Sequence, residues 1–453
     1  MDGSTIFFHA NGGSHQQLLI PTVDIDGLRF TGLAFGVLPG VPGYSHLQEG
    51  VRMLRAFLAV SLALFLLTLT SCGPGGKSLR GESRMPAELG LTIVADTHND
   101  VLLRAVEGED LGTRTKRGHS DLPRFREGGI TFQGFSVWVN PTYGPMAFER
   151  ASAIIDSFDV LVRRYSHQIG LARRASDVES LIGAGKLAGF LALEGGIALG
   201  TDLSRIDSFY NRGVRSITLT WNDTTPWASS AEDEAEHPEK LAQKGLTELG
   251  RAAVQKMNEL GVLIDVSHPG ERTFWDIVEI TKKPIIASHS GVYELCNSYR
   301  NLKDGQIRAI AKSRGIVCIA FYPGYLDSTF TPKFEAMAKR HKSELDSLRE
   351  VFKGHDDEYI VSRNKLLKDE LDTIRTPLSR IVDHIEYVVK LVGADCVGIG
   401  SDFDGMGTTP LGLDDVTGMP KLVRELMKRG FTPGDIRKIM GENFLRVFRE
   451  VCG

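Results

Sequence analysis

From Leu91 onward the chain repeats one pattern, a short apolar run followed by a stretch with helical spacing. The runs are LTIVADTH (91–98), ITFQGFSVWV (130–139), LAGFLALEGG (187–196), VRSITLTWN (214–222), GVLIDVSH (261–268), KPIIASHS (283–290), GIVCIAFY (315–322) and CVGIGSDF (396–403). Amphipathic stretches such as Ala147–Tyr165, Leu246–Leu260, Gln306–Arg314 and Leu378–Val392 lie between them. Strands apolar on both sides and separated by helices indicate a parallel sheet covered on both faces. Eight such units predict a (β/α)8, TIM-like barrel, with a doubly wound open sheet as the competing architecture. The segment Asp327–Arg375 is rich in Lys, Glu and Asp and reads as a charged helical insertion before the eighth strand.

A chain of 453 residues with 42% hydrophobic and 24% charged residues has ample material for such a core. Its net charge of -4 argues against nucleic acid as a partner, which calls for a basic face. The cysteines Cys72, Cys296, Cys318, Cys396 and Cys452 show no CxxC spacing, which argues against a thiolate metal site. Cys318 and Cys396 sit in apolar runs and read as small core residues; the pairing state of the last four is left open.

The first 85 residues are of another kind. Residues 1–52 have little periodicity and read as an uncertain N-terminal extension, with Met53 a candidate initiator. MLRAFLAVSLALFLLTLTSC (53–72) has a basic start, an apolar run too short for an ordinary spanning helix, and small residues at its end, as a signal peptide does. Leu69-Thr70-Ser71-Cys72 resembles the bacterial lipobox, which makes Cys72 the expected site of lipidation and places the chain at a bacterial cell envelope, facing the periplasm or exterior. Residues 73–90 read as a flexible tether.

In a parallel barrel the chemistry gathers at the carboxyl ends of the strands. Those ends carry His98 and Asp100, Glu194, Trp221 and Asn222, His268, His289, and Asp402 with Asp404. His98 and Asp100 are two apart and share a strand face. Each residue alone has a dull explanation: Glu194 as a cap, His268 as a helix-start residue, SHS (288–290) and SDFDG (401–405) as turns. Their joint placement on one rim does not. Nitrogen and oxygen donors of this mixture suit zinc and similar cations. Five donors exceed what one tetrahedral catalytic zinc with an open position takes, and suit two metals roughly 3.5–4 Å apart that share a carboxylate. Glu194, central in chain order, is the natural bridge.

The pieces DTHND (96–100), DLPRFREGGITFQGFSVWV (121–139), LALEGG (191–196), LTELGRAAVQKMNELGVLIDVSH (246–268), ASHSGVYELCNSYRNLKD (287–304), GIGSDFDG (398–405) and MGENFLRVF (440–448) together resemble the membrane (renal) dipeptidases, peptidase family M19, among the metal-dependent amidohydrolase barrels. The resemblance spans about Leu91 to Phe448 apart from the charged insertion. It implies two zinc ions per chain, one held by His98, Asp100 and Glu194 and the other by Glu194, His268 and His289. It also implies Asp402 as the acid–base residue, Arg300 as the holder of the substrate carboxylate, tolerance of a D-residue at the C-terminal position, and a homodimer. The pattern departs at Trp221, where family members carry a histidine that contacts substrate. Tryptophan donates one hydrogen bond and does not change charge near neutral pH. Asn222 is a candidate substitute donor, and His119 in GHSDLP is expected to be structural.

The resulting expectation is a lipid-anchored dipeptidase in which a hydroxide held between two metals attacks the scissile carbonyl while Asp402 moves the proton. Trp221 keeps a second expectation open, an amide or lactone hydrolase on the same scaffold. A third is a non-catalytic surface lipoprotein, against which the full donor set argues.

Overall fold

A computed structural model describes residues 22–25, 28–31, 84–353 and 356–453. The chain divides into two units, Met1–Lys77 and Ser78–Gly453. In the first, Thr22–Ile25 and Leu28–Thr31 pair as an antiparallel hairpin with Ile25 opposite Leu28. The signal segment, Cys72 and the tether as far as residue 83 lie outside the described residues. Among the described residues, no helix is long and apolar enough to cross a membrane.

In the second unit each apolar run contributes a strand: β1 (Ala95–Asp96), β2 (Phe132–Trp138), β3 (Leu187–Glu194), β4 (Val214–Thr218), β5 (Leu263–Ile264), β6 (Ile286–Ser290), β7 (Ile316–Ile319) and β8 (Val397–Ile399). Neighbours pair in parallel from β1 to β5 and from β6 to β8. Two bridges, Asp265 with Ile286 and Asn99 with Phe403, join these arcs into a ring. Hydrogen bonds from Val266 N to Ile286 O (2.8 Å) and Thr97 N to Ile399 O (3.0 Å) reinforce the joints. The fold is the (β/α)8 barrel expected from the periodicity.

Several strands are shorter than their apolar runs because side chains replace the ladder near the rim. Asp96 accepts from Ser401 N and Ser401 Oγ, both at 2.7 Å, and so ties β1 to the end of β8 through a carboxylate. A short strand, Ile169–Leu171, lies outside the eight apolar runs; it pairs with Leu187–Gly189 at the lower edge of β3. Three residues are too few to register as an apolar run.

The period-two alternation of β3 explains how the barrel positions polar groups. Leu191 and Leu193 join the core between sheet and helices, whereas Ala188, Phe190 and Ala192 belong to the cluster inside the barrel. Glu194 is the next residue on that inner face. Phe132 and Phe190 meet Phe444 of the C-terminal helix Asn443–Cys452 at ring distances of 5.1 and 5.3 Å, closing the bottom. At about 1.5–3 kcal/mol per buried aromatic side chain, this lower layer holds the barrel shut while the upper layer carries charge.

The charged segment after β7 forms the helices Phe330–Arg340, Lys342–Val351, Asp356–Leu366 and Lys368–Ile374 around a small core of Met337, Leu345, Leu367 and Leu371. It is fastened to the loop after β8. Arg363 Nη2 and Asn364 Nδ2 donate to Gly407 O at 2.9 and 2.7 Å, and Arg375 Nε donates to Thr409 O at 2.9 Å. At the other end of the unit, Leu89 is buried and its carbonyl accepts from Arg437 Nη1 at 3.3 Å.

Candidate metal centre

Beyond β1 the chain stays extended against the end of β8. Asp402 N donates to His98 O (3.1 Å) and Asp100 N to Phe403 O (2.9 Å), so His98 and Asp100 turn to one side. The intervening Asn99 turns away and donates to Ser120 Oγ at 2.8 Å. After Glu194 the chain must bend sharply beside β4. A Cβ at Gly196 would stand 2.4 Å from Leu219 O, so glycine is required there.

The barrel brings His98, Asp100, Glu194, His268 and His289 into one buried cluster, each at most 5% exposed. Glu194 Oε2 lies 3.2 Å from His98 Nε2, which is itself 3.4 Å from Asp100 Oδ2. Glu194 Oε1 faces the other way, 2.9 Å from His268 Nε2 and 3.5 Å from His289 Nε2. The two imidazole Nε2 atoms are 3.0 Å apart. Asp402 belongs here too: donor atoms of His98, Asp100 and Asp402 lie within 4.8 Å of one another, as do those of His98, Glu194 and His289. Asp402 adopts φ 62°, the left-handed region that non-glycine residues rarely enter outside functional sites and turns.

Burial opposes charge on Glu194, yet His98 and His268 outweigh it and hold the carboxyl well below its ordinary range. Burial likewise opposes charge on His98, but Glu194 and Asp100 raise that imidazole well above its usual value. Burial and then the Arg300 charge push His268 down to about 4; burial and then His98 push His289 well below its ordinary value. Both are therefore neutral at pH 7, the form in which histidine binds metals. Burial and then the charge of Asp100 raise Asp402 well above a normal aspartate.

Protons satisfy this cluster poorly. His98 Nδ1 and Nε2 and His268 Nδ1 are buried without a directed hydrogen bond. Three imidazoles and three carboxyls, turned inward with donor atoms this close, fit divalent cations with mixed nitrogen and oxygen ligands.

Arg300 is 3% exposed, with Nη2 donating to His289 O at 3.3 Å and its guanidinium 5.2 Å from the Tyr325 ring centre. Its Nε and Nη1 are buried without partners. It lines a cavity of about 790 Å³ together with Ser267, Tyr322 and Tyr325. Trp221 stands beside the donors, its ring centre 6.2 Å from that of His268 and 5.0 Å from that of Trp138. Asn222 is tied back through its carbonyl, which accepts from Ser230 Oγ at 2.7 Å. His119 is paired elsewhere, its Nδ1 accepting from Asp404 N at 2.9 Å. Sequence reading missed Ser136, whose Oγ donates to Glu194 Oε2 at 3.0 Å, and Tyr325. The period of β2 places Ser136 on the inner face and was signal enough; nothing local marked Tyr325.

A closed parallel barrel with histidines and carboxylates converging on its carboxyl rim defines a metal-dependent hydrolase. The match to the membrane dipeptidase family (peptidase family M19) runs over residues 86–452, and the chain belongs to that family. It is a metallopeptidase acting on dipeptides. Similar solved structures include dipeptidase AC, an M19 metallopeptidase, at 26% identity and TM-score 0.65, covering 80% of this chain and 99% of that one. The probable dipeptidase PvdM from Pseudomonas aeruginosa matches at 27% identity and TM-score 0.68, over 82% and 99% of the two chains. A metallopeptidase from Rhodobacter sphaeroides, liganded with a phosphinate mimic of the dipeptide L-Ala-D-Ala, matches at 25% identity and TM-score 0.64, over 79% and 99%.

Proposed function

We propose that the chain hydrolyses dipeptides, including those with a D-residue at the C-terminal position, with two zinc ions. His98, Asp100 and Glu194 hold one ion; Glu194, His268 and His289 hold the other. The observation that carries this reading is the split of Glu194, Oε2 toward His98 and Oε1 toward His268 and His289. Zinc in such a centre supplies a Lewis acid and lowers the pKa of water. Asp402, on the rim beside His98 and Asp100, takes the proton from the attacking water and passes it to the leaving amine. Arg300 binds the substrate carboxylate with its unpaired donors, a planar fork suited to that group. A carboxylate holder so near the donors favours very short peptides. Trp221 forms a wall there without moving protons. The D-residue reading draws support from the L-Ala-D-Ala mimic bound by the Rhodobacter relative.

The test is zinc content of the purified chain beside turnover of L,L- and L,D-dipeptides, N-acyl amino acids and lactones. About two zinc ions per chain with dipeptide turnover supports the reading. Turnover of acyl amino acids or lactones alone moves the activity to another amide or ester class, and no zinc after supplementation points to a non-catalytic lipoprotein. We further propose a lipid anchor at Cys72 in a bacterial cell envelope, facing the periplasm or exterior, and a homodimer. Cys72→Ala is expected to abolish membrane association in fractionation; unchanged association rejects the anchor. Sedimentation of the protein decides the dimer.

A further inference from the structure

Behind the histidines lies a buried network that the reaction scheme above does not use. Asp265 follows β5, and Ser288 lies in β6 immediately before His289. Asp265 Oδ1 accepts from Ser267 N (3.0 Å), Ser267 Oγ (2.8 Å) and Ser288 N (3.0 Å). Its Oδ2 accepts from Thr218 Oγ1 (2.9 Å) and Ser288 Oγ (2.5 Å). Ser288 Oγ is also 2.8 Å from His289 Nδ1.

A hydroxyl has one proton to donate. Ser288 directs it to Asp265, so toward His289 its oxygen acts as an acceptor. Nδ1 of His289 then carries the ring proton, and Nε2 keeps its lone pair facing Glu194 Oε1 at 3.5 Å. Ser267 does not reverse this arrangement: it donates to Asp265 at 2.8 Å and accepts from His289 N at 3.0 Å.

We propose that Asp265, acting through Ser288, is a positioning residue that locks His289 in the Nδ1–H tautomer and leaves Nε2 free for a cation. The cation-binding half of this statement rests on the proposed role of His289 as a ligand; the tautomer does not. A purely structural role, bracing β4, β5 and β6, would change stability and leave the tautomer alone.

Asp265→Asn separates the two. On the Oδ1 side two backbone N–H groups, of Ser267 and Ser288, demand an acceptor, so the new carbonyl oxygen must sit there. The new NH₂ then faces Ser288 Oγ as a donor. Ser288 turns its own proton to His289 Nδ1, and the ring proton moves to Nε2. Partners of this kind behind metal-binding histidines typically contribute 10–100-fold to metal affinity.

The experiment uses the full chain, metal-free and labelled with ¹⁵N-histidine, with the His289 signals assigned from a His289→Gln difference spectrum. Ring nitrogen shifts report the tautomer, and calorimetric titration with Zn²⁺ alone reports affinity. The unsubstituted protein is expected to carry the His289 proton on Nδ1. Asp265→Asn is expected to move it to Nε2 and weaken one Zn²⁺ binding step by about 10–100-fold. Ser288→Ala, which keeps a small side chain in the strand, is expected to give mixed tautomers and a loss of about 10-fold. An Nε2 proton in the unsubstituted protein, or the Nδ1 tautomer and affinity unchanged in Asp265→Asn, overturns the proposal. Should Asp265→Asn fail to fold, an unchanged tautomer in Ser288→Ala overturns it. If the unsubstituted protein takes up no zinc, the two-zinc reading fails while the tautomer measurement still decides this one.

Discussion

Asp402 and Asp404 stand two residues apart, both with left-handed backbones, at φ 62° and 66°, yet they belong to opposite kinds of charge cluster. Around Asp404, anions meet guanidinium groups. Arg104 Nε is 3.1 Å from Asp404 Oδ1 and Nη1 is 2.9 Å from Glu109 Oε2, while Arg124 Nε is 2.7 Å from Asp121 Oδ2. His119 N adds a hydrogen bond to Asp404 Oδ1 at 2.9 Å. Around Asp402 the neighbours are the Asp100 carboxyl and the His98 imidazole, with weaker influence from Glu194 and from the Arg300 guanidinium. Both clusters are buried, where an unpaired charge is expensive. The first offsets its charge with its own arginines, though Asp404 Oδ2 keeps no hydrogen-bond partner, and reads as structure. In the second, His98 and Glu194 offset one another, but burial and Asp100 keep Asp402 well above a normal aspartate and three imidazole nitrogens lack a directed hydrogen bond, which is the mark of a functional site.

The largest expected effect comes from attacking the second cluster at its centre. Glu194→Gln keeps size and removes the charge that two cations would share, so turnover and binding of both metals are expected to fall together. Kinetics beside metal analysis checks this, and retention of both metals with near-normal turnover rejects the bridge. Next is Asp402→Asn. It is expected to lower kcat by about 10²–10⁴-fold, the usual share of an acid–base group, while metal content stays unchanged. Loss of metal along with activity would make Asp402 a ligand beside His98 and Asp100. Asp404→Asn is the internal control and is expected to reduce kcat less.

Breaking the self-compensated cluster should read out in stability instead. Arg104→Met leaves Asp404 buried without its guanidinium, which is expected to cost about 3 kcal/mol. Denaturant unfolding measures this, and a loss in kcat exceeding that of Asp402→Asn would blur the contrast between the clusters. The smallest effect at neutral pH concerns His384. It is buried, accepts from Val292 N (3.0 Å) and faces Leu326 O (3.1 Å). Burial pushes its pKa from 6.5 down to about 4, so the unfolded chain takes up the proton first on acidification. Its contribution is fully present above pH 6.5 and is lost as pH falls toward 4, up to about 3 kcal/mol. His384→Gln is expected to flatten the dependence of stability on pH across that window.

Alternating apolar runs and helical spacing determined the barrel, because a strand buried on both faces has few other places to go. The same logic reached the donors. In a parallel barrel all carboxyl ends share one rim, so reading the ends of the runs gives His98, Asp100, Glu194, His268, His289 and Asp402 without knowing any distance. What the sequence left undecided depends on which strands are neighbours and how side chains turn. The division of Glu194 between two sets of donors, the support of Arg300 by Tyr325, and the path from Asp265 through Ser288 to His289 join residues from different strands and loops. They follow from the ring closing with β5 beside β6 and the β7 loop beside that of β6. The short strand Ile169–Leu171 likewise exists because β3 offers it an edge. Periodicity is a property of a segment and can be read from it; hydrogen-bond direction and charge compensation are properties of neighbours, and only the closed barrel made these residues neighbours.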